Sequence, residues 1–392
     1  MNYRSSLPLL MLMVVFSPLA IDIFLPALPI MAQDFSVAIS KMQWSITVFL
    51  LSLGAGQLLA GPLADRYGRR PVAIVGVIIY GVSSLFSSYA NSVEFFLFCR
   101  LLQGFGACAI VVAAFASVRD RFDPIQSGVM YSYLSSVICC VPAVAPLLGN
   151  MLTEQFGWRS NFEVMAAYAA CAGIAIIFAL PETRPENTFQ HKKLISFARF
   201  VPILKQPIFI VNAVIIMLTM AIILAYVTAS PGWLMLHLGE SQQTFVAWFS
   251  VNAALNIVAY FYAPKVLLRL GARKTIGLGM TLLLASGLLM FVLLGWNHAA
   301  AFMLPVMVSS IGISLLMGSC AGQALSPFGD SAGSASALLG FMQMSGAAAL
   351  VSCVQLLPLT VPEQFILLTV TFVPVFAIWY RLKSTFSCAS FS

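Results

Sequence analysis

Long apolar segments recur along this chain of 392 residues, and only short polar stretches separate most of them. A helix needs about 20 apolar residues to cross the hydrocarbon core of a bilayer. Only 8% of the residues are charged, whereas soluble domains carry roughly a quarter, so a soluble globular protein is excluded. The sequence therefore predicts an all-α integral membrane protein. Its twelve candidate transmembrane helices are 7–29, 42–63, 71–90, 94–117, 127–152, 159–180, 207–230, 243–264, 274–295, 299–324, 332–357 and 363–381.

The basic residues are distributed unevenly between the two sets of alternate loops that this topology creates. Seventeen of the 20 Lys and Arg residues fall in one set, Lys41 and Arg159 fall in the other, and Arg100 lies inside the fourth helix. Cytoplasmic loops of membrane proteins are enriched in Lys and Arg. The distribution predicts that both termini are cytoplasmic, and it accounts for the net charge of +7 without a nucleic-acid partner.

An internal repeat is indicated by the loops that follow the second and eighth helices. The segment Arg66–Arg70 has a partial counterpart in Arg269–Lys274, and their central glycines, Gly68 and Gly271, are 203 residues apart. An offset close to half the chain predicts two six-helix halves built as repeats. We expect an N-terminal bundle of residues 1–180, a cytoplasmic linker at 181–206 and a C-terminal bundle of residues 207–392.

Two ionisable residues, Asp22 and Arg100, lie inside predicted helices. A charge at the bilayer centre costs at least about 2.5 kcal/mol, so such residues are functional candidates by default. Counted from the outer helix ends, their depths differ by roughly 3 Å. We expect them to face one cavity and to interact there. A nearby Arg favours the ionised carboxylate, and burial favours the neutral acid. Opening of the cavity to water on either side of the membrane would therefore change proton binding to Asp22. The alternative is a permanent structural ion pair.

The residue types that would indicate an enzyme or a metal site are scattered. The eight cysteines lie mostly in apolar runs without paired spacing, and His191, His237 and His298 lie in separate loops. There is no phosphate-binding glycine loop and no clustered ligand set. The sequence therefore predicts a transporter without a metal or cofactor, and it disfavours an enzyme, an ATP-driven pump or a channel.

The most specific motif is the segment Gly61–Pro71 between helices two and three. Its glycines and prolines predict a tight turn at the membrane surface, and its carboxylate can bond helix N-termini or Arg side chains. The segment resembles the signature that the major facilitator superfamily carries at this position. The residues that carry the resemblance are Gly61, Asp65, Arg66, Gly68, Arg69 and Arg70.

Other segments resemble proton-coupled members of that superfamily. Arg100–Ala107 is similar to their helix-four motif, and Pro142, Pro146 and Gly149 are similar to the helix-five motif of antiporters, although Ala145 and Asn150 replace two of its glycines. The segments Asp22–Pro29, Gly157–Arg159, Leu180–Arg184 and Ala332–Ala337 resemble the Bcr/CflA branch of twelve-helix drug:proton antiporters.

The resemblance implies alternating-access export of varied drugs, with chloramphenicol-type amphenicols prominent, in exchange for protons. It implies a monomer in a bacterial-type inner membrane, with Asp22 as the proton-titrating group and Arg100 as its partner. Some relatives carry another acid earlier in helix one, but the stretch from Leu10 to Ala20 has none. The alternative is a superfamily exporter or symporter for a specific metabolite.

The two functions predict different substrate cavities. Lipophilic drugs suit an apolar, aromatic wall with few fixed polar contacts, whereas a specific metabolite needs several such contacts. Candidate wall residues for drugs are Gln103, Trp44, Phe49, Tyr131, Tyr226, Trp248 and Phe249. Polar residues available for a metabolite are Gln57, Asn212, Asn252, Asn256 and Gln323.

Two local patterns predict helix contacts. Gly318 and Gly322 form a GxxxG pattern in helix ten, which favours close helix packing. Arg159 and Glu163 have the i,i+4 spacing of a local ion pair at the start of helix six.

Overall fold

The computed structural model describes residues 3–121, 124–184, 200–328 and 332–381. All regular elements in these ranges are helical, which confirms the predicted all-α fold. The helices are α1 (Tyr3–Asp22), α2 (Leu28–Asp34), α3 (Ile39–Tyr67), α4 (Arg69–Ser88), α5 (Val93–Arg121), α6 (Pro124–Phe156), α7 (Arg159–Ala179), α8 (Val201–Leu204), α9 (Pro207–Pro231), α10 (Gln242–Val292), α11 (Ala299–Leu325), α12 (Ala332–Phe341), α13 (Ala347–Gln355), α14 (Val361–Val370) and α15 (Phe372–Arg381).

The described helices provide the predicted number of membrane crossings. Ten segments are long and apolar enough to span a membrane. One of them, α10, has 51 residues and is interrupted at Gly271, so it consists of two helices in succession. The 33 residues of α6 supply another membrane length. The described ranges therefore contain twelve membrane-length segments.

The first predicted span is broken, which the sequence analysis did not anticipate. α1 ends at Asp22, a 3-10 turn covers Leu25–Ala27, and α2 begins at Leu28. Pro26 and Pro29 lack the N–H groups that would continue the α-helix, and each ring clashes with the carbonyl four residues earlier. The acidic residue of α1 therefore lies at the C-terminal end of that helix.

The two loops that indicated the repeat have the same backbone conformation. Gly68, between α3 and α4, has φ 105° and ψ 160°, and Gly271 has φ 75° and ψ 162°. Glycine adopts a positive φ at little cost because it has no Cβ. The structure thus places the same sharp turn 203 residues apart, after the second and eighth predicted helices.

A close helix crossing also occurs twice. A Cβ added at Gly106 of α5 would lie 2.7 Å from the carbonyl oxygen of Gly76 in α4. One added at Gly312 of α11 would lie 2.8 Å from that of Gly279 in α10. Each crossing needs two glycines because the backbones themselves are in contact, and this duplication supports the internal repeat.

Backbone contacts divide the chain into two compact units. The first comprises Met1–Ser196 with Ser241–Ala253, and the second comprises Phe197–Glu240 with Ala254–Ser392. The division into bundles at 181–206, with 207–392 as one bundle, stays a prediction. Residues 185–199 of the expected linker lie outside the described ranges, and the orientation of the termini stays a prediction as well.

The packing predicted for the GxxxG pattern of α11 is wrong. Within the described structure, no heavy atom of another element lies within 4 Å of a Cβ added at Gly318 or Gly322. The close crossing of α11 is made instead by Gly312, about two turns earlier.

Candidate functional site

Arg100 is completely buried in the first unit, and its guanidinium is bound by three elements. Nη2 donates to the carbonyl oxygen of Ala20 in α1 at 2.8 Å, and Nε donates to that of Ser45 in α3 at 3.2 Å. Nη1 donates to Oε1 of Gln103, one turn further along α5. A buried cation is stable only when its donors find acceptors, and these neutral oxygens provide them.

Two aromatic rings flank the same guanidinium. Cζ of Arg100 lies 4.8 Å from the ring centroid of Phe24 and 4.7 Å from that of Phe49, and both rings are fully buried. A cation within about 6 Å of an aromatic face is attracted by the quadrupole of the ring. Phe49, a predicted wall residue, therefore stabilises the charge of Arg100.

Asp22 is 5% exposed, but the expected direct contact with Arg100 is not made. No nitrogen of Arg100 lies within 4.0 Å of the Asp22 carboxylate, and no residue in the described ranges donates a hydrogen bond to that group. The physical reason is the break in the first span. Carbonyls at a helix C-terminus carry partial negative charge, and Arg100 binds one of them, at Ala20, two residues before the acid.

Gln103 connects three helices behind Arg100. Its Nε2 donates to Oγ of Ser84 in α4 at 2.7 Å and lies 3.6 Å from Sδ of Met165 in α7. Since the side chain is completely buried, all its contacts are with protein. In this structure Gln103 therefore belongs to the packed polar core around Arg100.

The other predicted wall residues whose side chains the structure describes are not brought to this core. Tyr226 is buried in the second unit, where it lines a small pocket with Phe302, Gln364 and Phe365. Trp248 is partly buried in α10. Of the remaining two candidates, Trp44 is exposed and Phe249 is buried. The side chain of Tyr131 lies outside the described part of the chain.

A row of hydrogen bonds along α1 was missed by the sequence analysis. Tyr168 of α7 donates to the carbonyl of Leu12 at 2.6 Å, and Tyr80 of α4 donates to that of Phe16 at 3.2 Å. Arg100 continues the row at Ala20. The three carbonyls are four residues apart, so they share one face of the helix. The available signal was a tyrosine hydroxyl in an apolar helix, since such a hydroxyl needs a partner when buried.

Gly149, a residue of the helix-five motif, lies directly against the broken part of the first span. A Cβ added there would be 1.6 Å from the carbonyl oxygen of Ile23, so only glycine allows the contact. Pro142 and Pro146 lie inside α6, which stays helical to Phe156. The motif therefore includes a glycine that lets α6 contact the residue after Asp22.

The loop motif between α3 and α4 is built around Arg69, which is 1% exposed. Its Nη1 lies 2.8 Å from Oδ1 of Asp65, and its Nε donates to Oδ2 of Asp120 at 2.7 Å. The role of Asp120, at the end of α5, was not predicted. A signal was present, because this acid stands between Arg119 and Arg121 in a set of loops that is otherwise strongly basic.

Glu182 caps the N-terminus of α4. Its carboxylate accepts hydrogen bonds from the backbone N–H groups of Arg69 at 2.9 Å and Arg70 at 3.2 Å. It also accepts from those of Thr183 at 3.0 Å and Arg184 at 2.9 Å. Partial burial opposes the charge, but these four donors hold the pKa of the Glu182 carboxyl below its usual range.

The remaining motif residues extend this connection. Nη2 of Arg70 donates to the carbonyl of Ile177 at 2.6 Å, and Arg184 donates to the carbonyl of Arg66. A Cβ at Gly68 would lie 2.3 Å from Oε2 of Glu182, so a side chain here would displace that carboxylate as well as strain the backbone at its positive φ. No atom lies within 4 Å of a Cβ at Gly61 in the described structure, so this residue does not serve a close approach.

At the other end of the first unit, Asp34 joins α2 to the start of α7. Its Oδ2 accepts hydrogen bonds from Nε1 of Trp158 at 2.9 Å and Nη1 of Arg159 at 2.8 Å. The ion pair predicted between Arg159 and Glu163 is therefore wrong, because Arg159 turns to Asp34. Among the residues that the structure describes, no group of three or more His, Cys, Asp or Glu side chains could hold a metal ion.

Comparison with known proteins agrees with this arrangement. The sequence pattern of the Major Facilitator Superfamily matches residues 10–351. Multidrug resistance protein MdtL of Salmonella paratyphi C (strain RKS4594) is 33% identical over 334 residues, which cover 85% of this chain and 84% of the relative. MdtL of Salmonella choleraesuis (strain SC-B67) matches with the same identity and coverage.

Two solved structures share the fold at low sequence identity. A D-xylose-proton symporter superposes with a TM-score of 0.78 at 12% identity, covering 97% of this chain and 98% of its own. The human organic anion transporter MFSD10 (TETRAN) gives 0.72 at 16% identity, covering 96% and 99%. The predicted resemblance is confirmed by the family match and by the relatives at 33% identity. The chain therefore belongs to the major facilitator superfamily, and it is a multi-pass membrane transporter rather than an enzyme.

Proposed function

We propose that this transporter exports small lipophilic drugs, including amphenicols, in exchange for protons by alternating access. Asp22 binds the proton and Arg100 is its partner. Drug export is supported by the relatives, which are named multidrug resistance proteins. The proton role is supported above all by one observation: the buried acid lies at a helix break, two residues after the carbonyl that Arg100 holds.

The surroundings of Asp22 give the coupling a physical basis. An ionised carboxylate buried without hydrogen-bond donors costs free energy, and water or a cation removes that cost. Closing the site around Asp22 therefore favours proton binding, and opening it to water favours release. In alternating access the site closes around Asp22 after opening to one side of the membrane, and it then opens to the other side, where the proton is released.

Arg100 can act on the acid through the end of α1. Its guanidinium is bound to the carbonyl of Ala20, and an ionised Asp22 would offer a stronger, charged acceptor. Exchange of one acceptor for the other would move the C-terminal turn of α1. Since Gly149 contacts Ile23, that movement would be transmitted to α6.

The charge distribution favours lipophilic substrates over ionic ones. Helices α9, α11, α12 and α13 contain no Asp, Glu, Lys or Arg. A charged drug entering the membrane interior needs a counter-charge, and these helices supply none. We place Phe49, Gln103, Tyr131, Tyr226 and Trp248 along the drug route, where changes of conformation would expose them.

The cellular setting follows from the same proposal. The relatives are bacterial proteins, which supports the inner membrane as the location, and the monomer that the family resemblance implies completes the proposal. The excess of Lys and Arg in one set of loops supports a cytoplasmic position for both termini.

The test is a drug-susceptibility panel in an efflux-deficient bacterial host that expresses the wild type, Asp22→Asn, Arg100→Ala or Asp34→Asn at equal levels. We expect amphenicol protection from the wild type and its loss in the first two variants. Asp34→Asn is the matched control, because that acid is engaged with Trp158 and Arg159, and it should retain protection.

Purified protein in vesicles completes the test. A lipophilic drug should release protons from vesicles containing the wild type and the Asp34→Asn control, but not from those containing Asp22→Asn. Undiminished pH-driven efflux by Asp22→Asn would rule out its proton role. Coupled transport of a polar metabolite, with no protection against any drug, would favour the alternative function.

A further inference from the structure

The two repeated loops, the first around Gly68 and the second around Gly271, differ in how many acidic residues lie near their Lys and Arg side chains. In the first, Arg69 is paired with Asp65 and Asp120, and Glu182 bonds the adjoining backbone. These carboxylates belong to the same unit, so the first loop is neutralised within it.

The second loop has the cations without the acids. Lys265, Arg269, Arg273 and Lys274 lie around Gly271, and no Asp or Glu occurs between residues 241 and 328. Leu268 stands 203 residues after Asp65, in the place of that acid. None of the four cations forms an ion pair with a carboxylate in the described ranges.

The later acids do not change this contrast. Glu363 is bonded to Thr360 at the start of α14. Asp330 lies outside the described residues and is a single negative charge against four positive ones. The second loop therefore retains net positive charge.

The same part of α10 also presents an apolar surface. Phe261 and Leu268 are 69% and 86% exposed, and their spacing, with Lys265 between them, puts them on one face of the helix. Nζ of Lys265 lies 4.8 Å from the ring centroid of Tyr262 and 5.2 Å from that of Phe261. Exposed apolar and aromatic side chains followed by Lys and Arg are typical of a helix leaving the hydrocarbon core for the headgroups.

A buried tryptophan lies beside the second pair of cations. Cζ of Arg273 is 5.8 Å from the ring centroid of Trp379 in α15. Trp379 is 5% exposed, and its indole N–H has no acceptor among the described atoms. This donor is available at the edge of the cationic loop.

We propose that the second loop is a binding site for an anionic phospholipid. Lys265, Arg269, Arg273 and Lys274 bind the headgroup phosphate, and the acyl chains lie along Phe261 and Tyr262. Charge complementarity selects an anionic headgroup, as basic clusters at membrane helix ends do. The exposed apolar face selects a lipid over a soluble anion. The first loop is not such a site, because Asp65, Asp120 and Glu182 lie among its three arginines.

The experiment measures binding of phosphatidylglycerol and phosphatidylcholine to the purified full-length protein in detergent by native mass spectrometry. The wild type should bind phosphatidylglycerol at least tenfold more tightly, and Lys265→Gln/Arg269→Gln should lose most of that preference. Lys41→Gln/Lys205→Gln removes the same charge elsewhere and should retain it. Equal binding of both lipids by the wild type, or an unchanged preference in the first variant, would overturn the proposal.

Two further arms make the result specific. Leu268→Asp restores the acid that the first loop has, and at a position 86% exposed it should fold normally and lose the preference. If this variant folds and keeps the preference, the charge argument fails. Inorganic phosphate should not displace bound phosphatidylglycerol, and displacement at millimolar phosphate would show a soluble-anion site instead of a lipid site.

Discussion

At the residue scale, Arg100 shows that a membrane-embedded cation can be satisfied without a carboxylate. Two backbone carbonyls, one amide oxygen and two aromatic faces surround it. This leaves the negative charge of Asp22 uncommitted, which is the condition for a group that must gain and lose a proton. A permanent Asp22–Arg100 ion pair, the structural alternative, is absent from this structure.

The hydrogen bonds of Glu182 predict a pH-dependent contribution to stability. We expect Glu182→Gln to lower stability by about 1 kcal/mol or less at neutral pH, because the side chain is largely exposed and its charge is screened by water. The lowered pKa of Glu182 means that its contribution is complete above the ordinary value of about 4.3 and is lost as the pH falls through the folded value.

Melting temperatures of detergent-solubilised wild type and Glu182→Gln, measured from pH 7 down to pH 3, test this prediction. The difference between them should shrink in the acid range. Glu240→Gln serves as the control, since the Glu240 side chain makes no hydrogen bond to the described residues. A difference that grows towards low pH would contradict the assignment.

Individual site residues could be predicted where their residue type is rare in the surrounding segment. Asp22 and Arg100 were found because ionisable residues are scarce inside apolar helices. Tyr80, Tyr168 and Asp120 were missed because their importance depends on which helix faces which, and periodicity within one helix carries no such information. The direct Asp22–Arg100 contact was wrongly expected. The similar depths of the two residues were counted along continuous helices, but the first span is broken after Asp22.

At the element scale, the contact between α6 and the break in the first span predicts a specific sensitivity. Gly149→Ala would place a methyl group 1.6 Å from the backbone oxygen of Ile23, and neither backbone can yield cheaply. We expect a loss of about 1–3 kcal/mol in stability and loss of drug efflux, because the segment holding Asp22 is displaced.

Efflux assays and melting temperatures of Gly149→Ala and Gly322→Ala make the comparison. Gly322 is the matched control: it is helical, and a Cβ there meets no atom of the described structure within 4 Å. Its variant should be unchanged or slightly stabilised, since alanine is the better helix former by about 1 kcal/mol. Normal efflux by Gly149→Ala would show that the contact is dispensable.

At the scale of the whole molecule, the duplicated glycine crossing predicts parallel effects in the two units. A Cβ at Gly106 or Gly312 would meet backbone oxygen at 2.7 or 2.8 Å. Gly106→Ala and Gly312→Ala should therefore each lower stability by about 1–3 kcal/mol. Their effects should add in the double variant, because the two sites share no neighbours.

Thermal unfolding of the two single variants and the double variant tests this symmetry, with Gly318→Ala as the control in open space. A destabilisation confined to one of the two variants would mean that the crossings are not equivalent.

The fold as a whole was more predictable than its details. Twelve apolar segments were enough to predict the number of helices, because a bilayer imposes length and hydrophobicity on each span. One recurring glycine loop was enough to predict the repeat. The break after Asp22 was not predicted, although Pro26 and Pro29 were visible. Prolines are often tolerated within membrane helices, as Pro142 and Pro146 are in α6, and only tertiary contacts separate the two outcomes.

A proton carried on Asp22, beside a guanidinium that keeps its charge, has an electrical consequence. With Asp22 protonated the buried pair carries one net positive charge, and with Asp22 ionised it is neutral. Arg100 keeps the same charge throughout the cycle, so only the transferred proton counts, and exchange of one uncharged drug for one proton would move one positive charge inward in each cycle. Membrane voltage then contributes about 2.3 kcal/mol per 100 mV to export. Such a pump would keep working in an alkaline medium that abolishes the proton concentration difference, as long as the cell interior stays electrically negative.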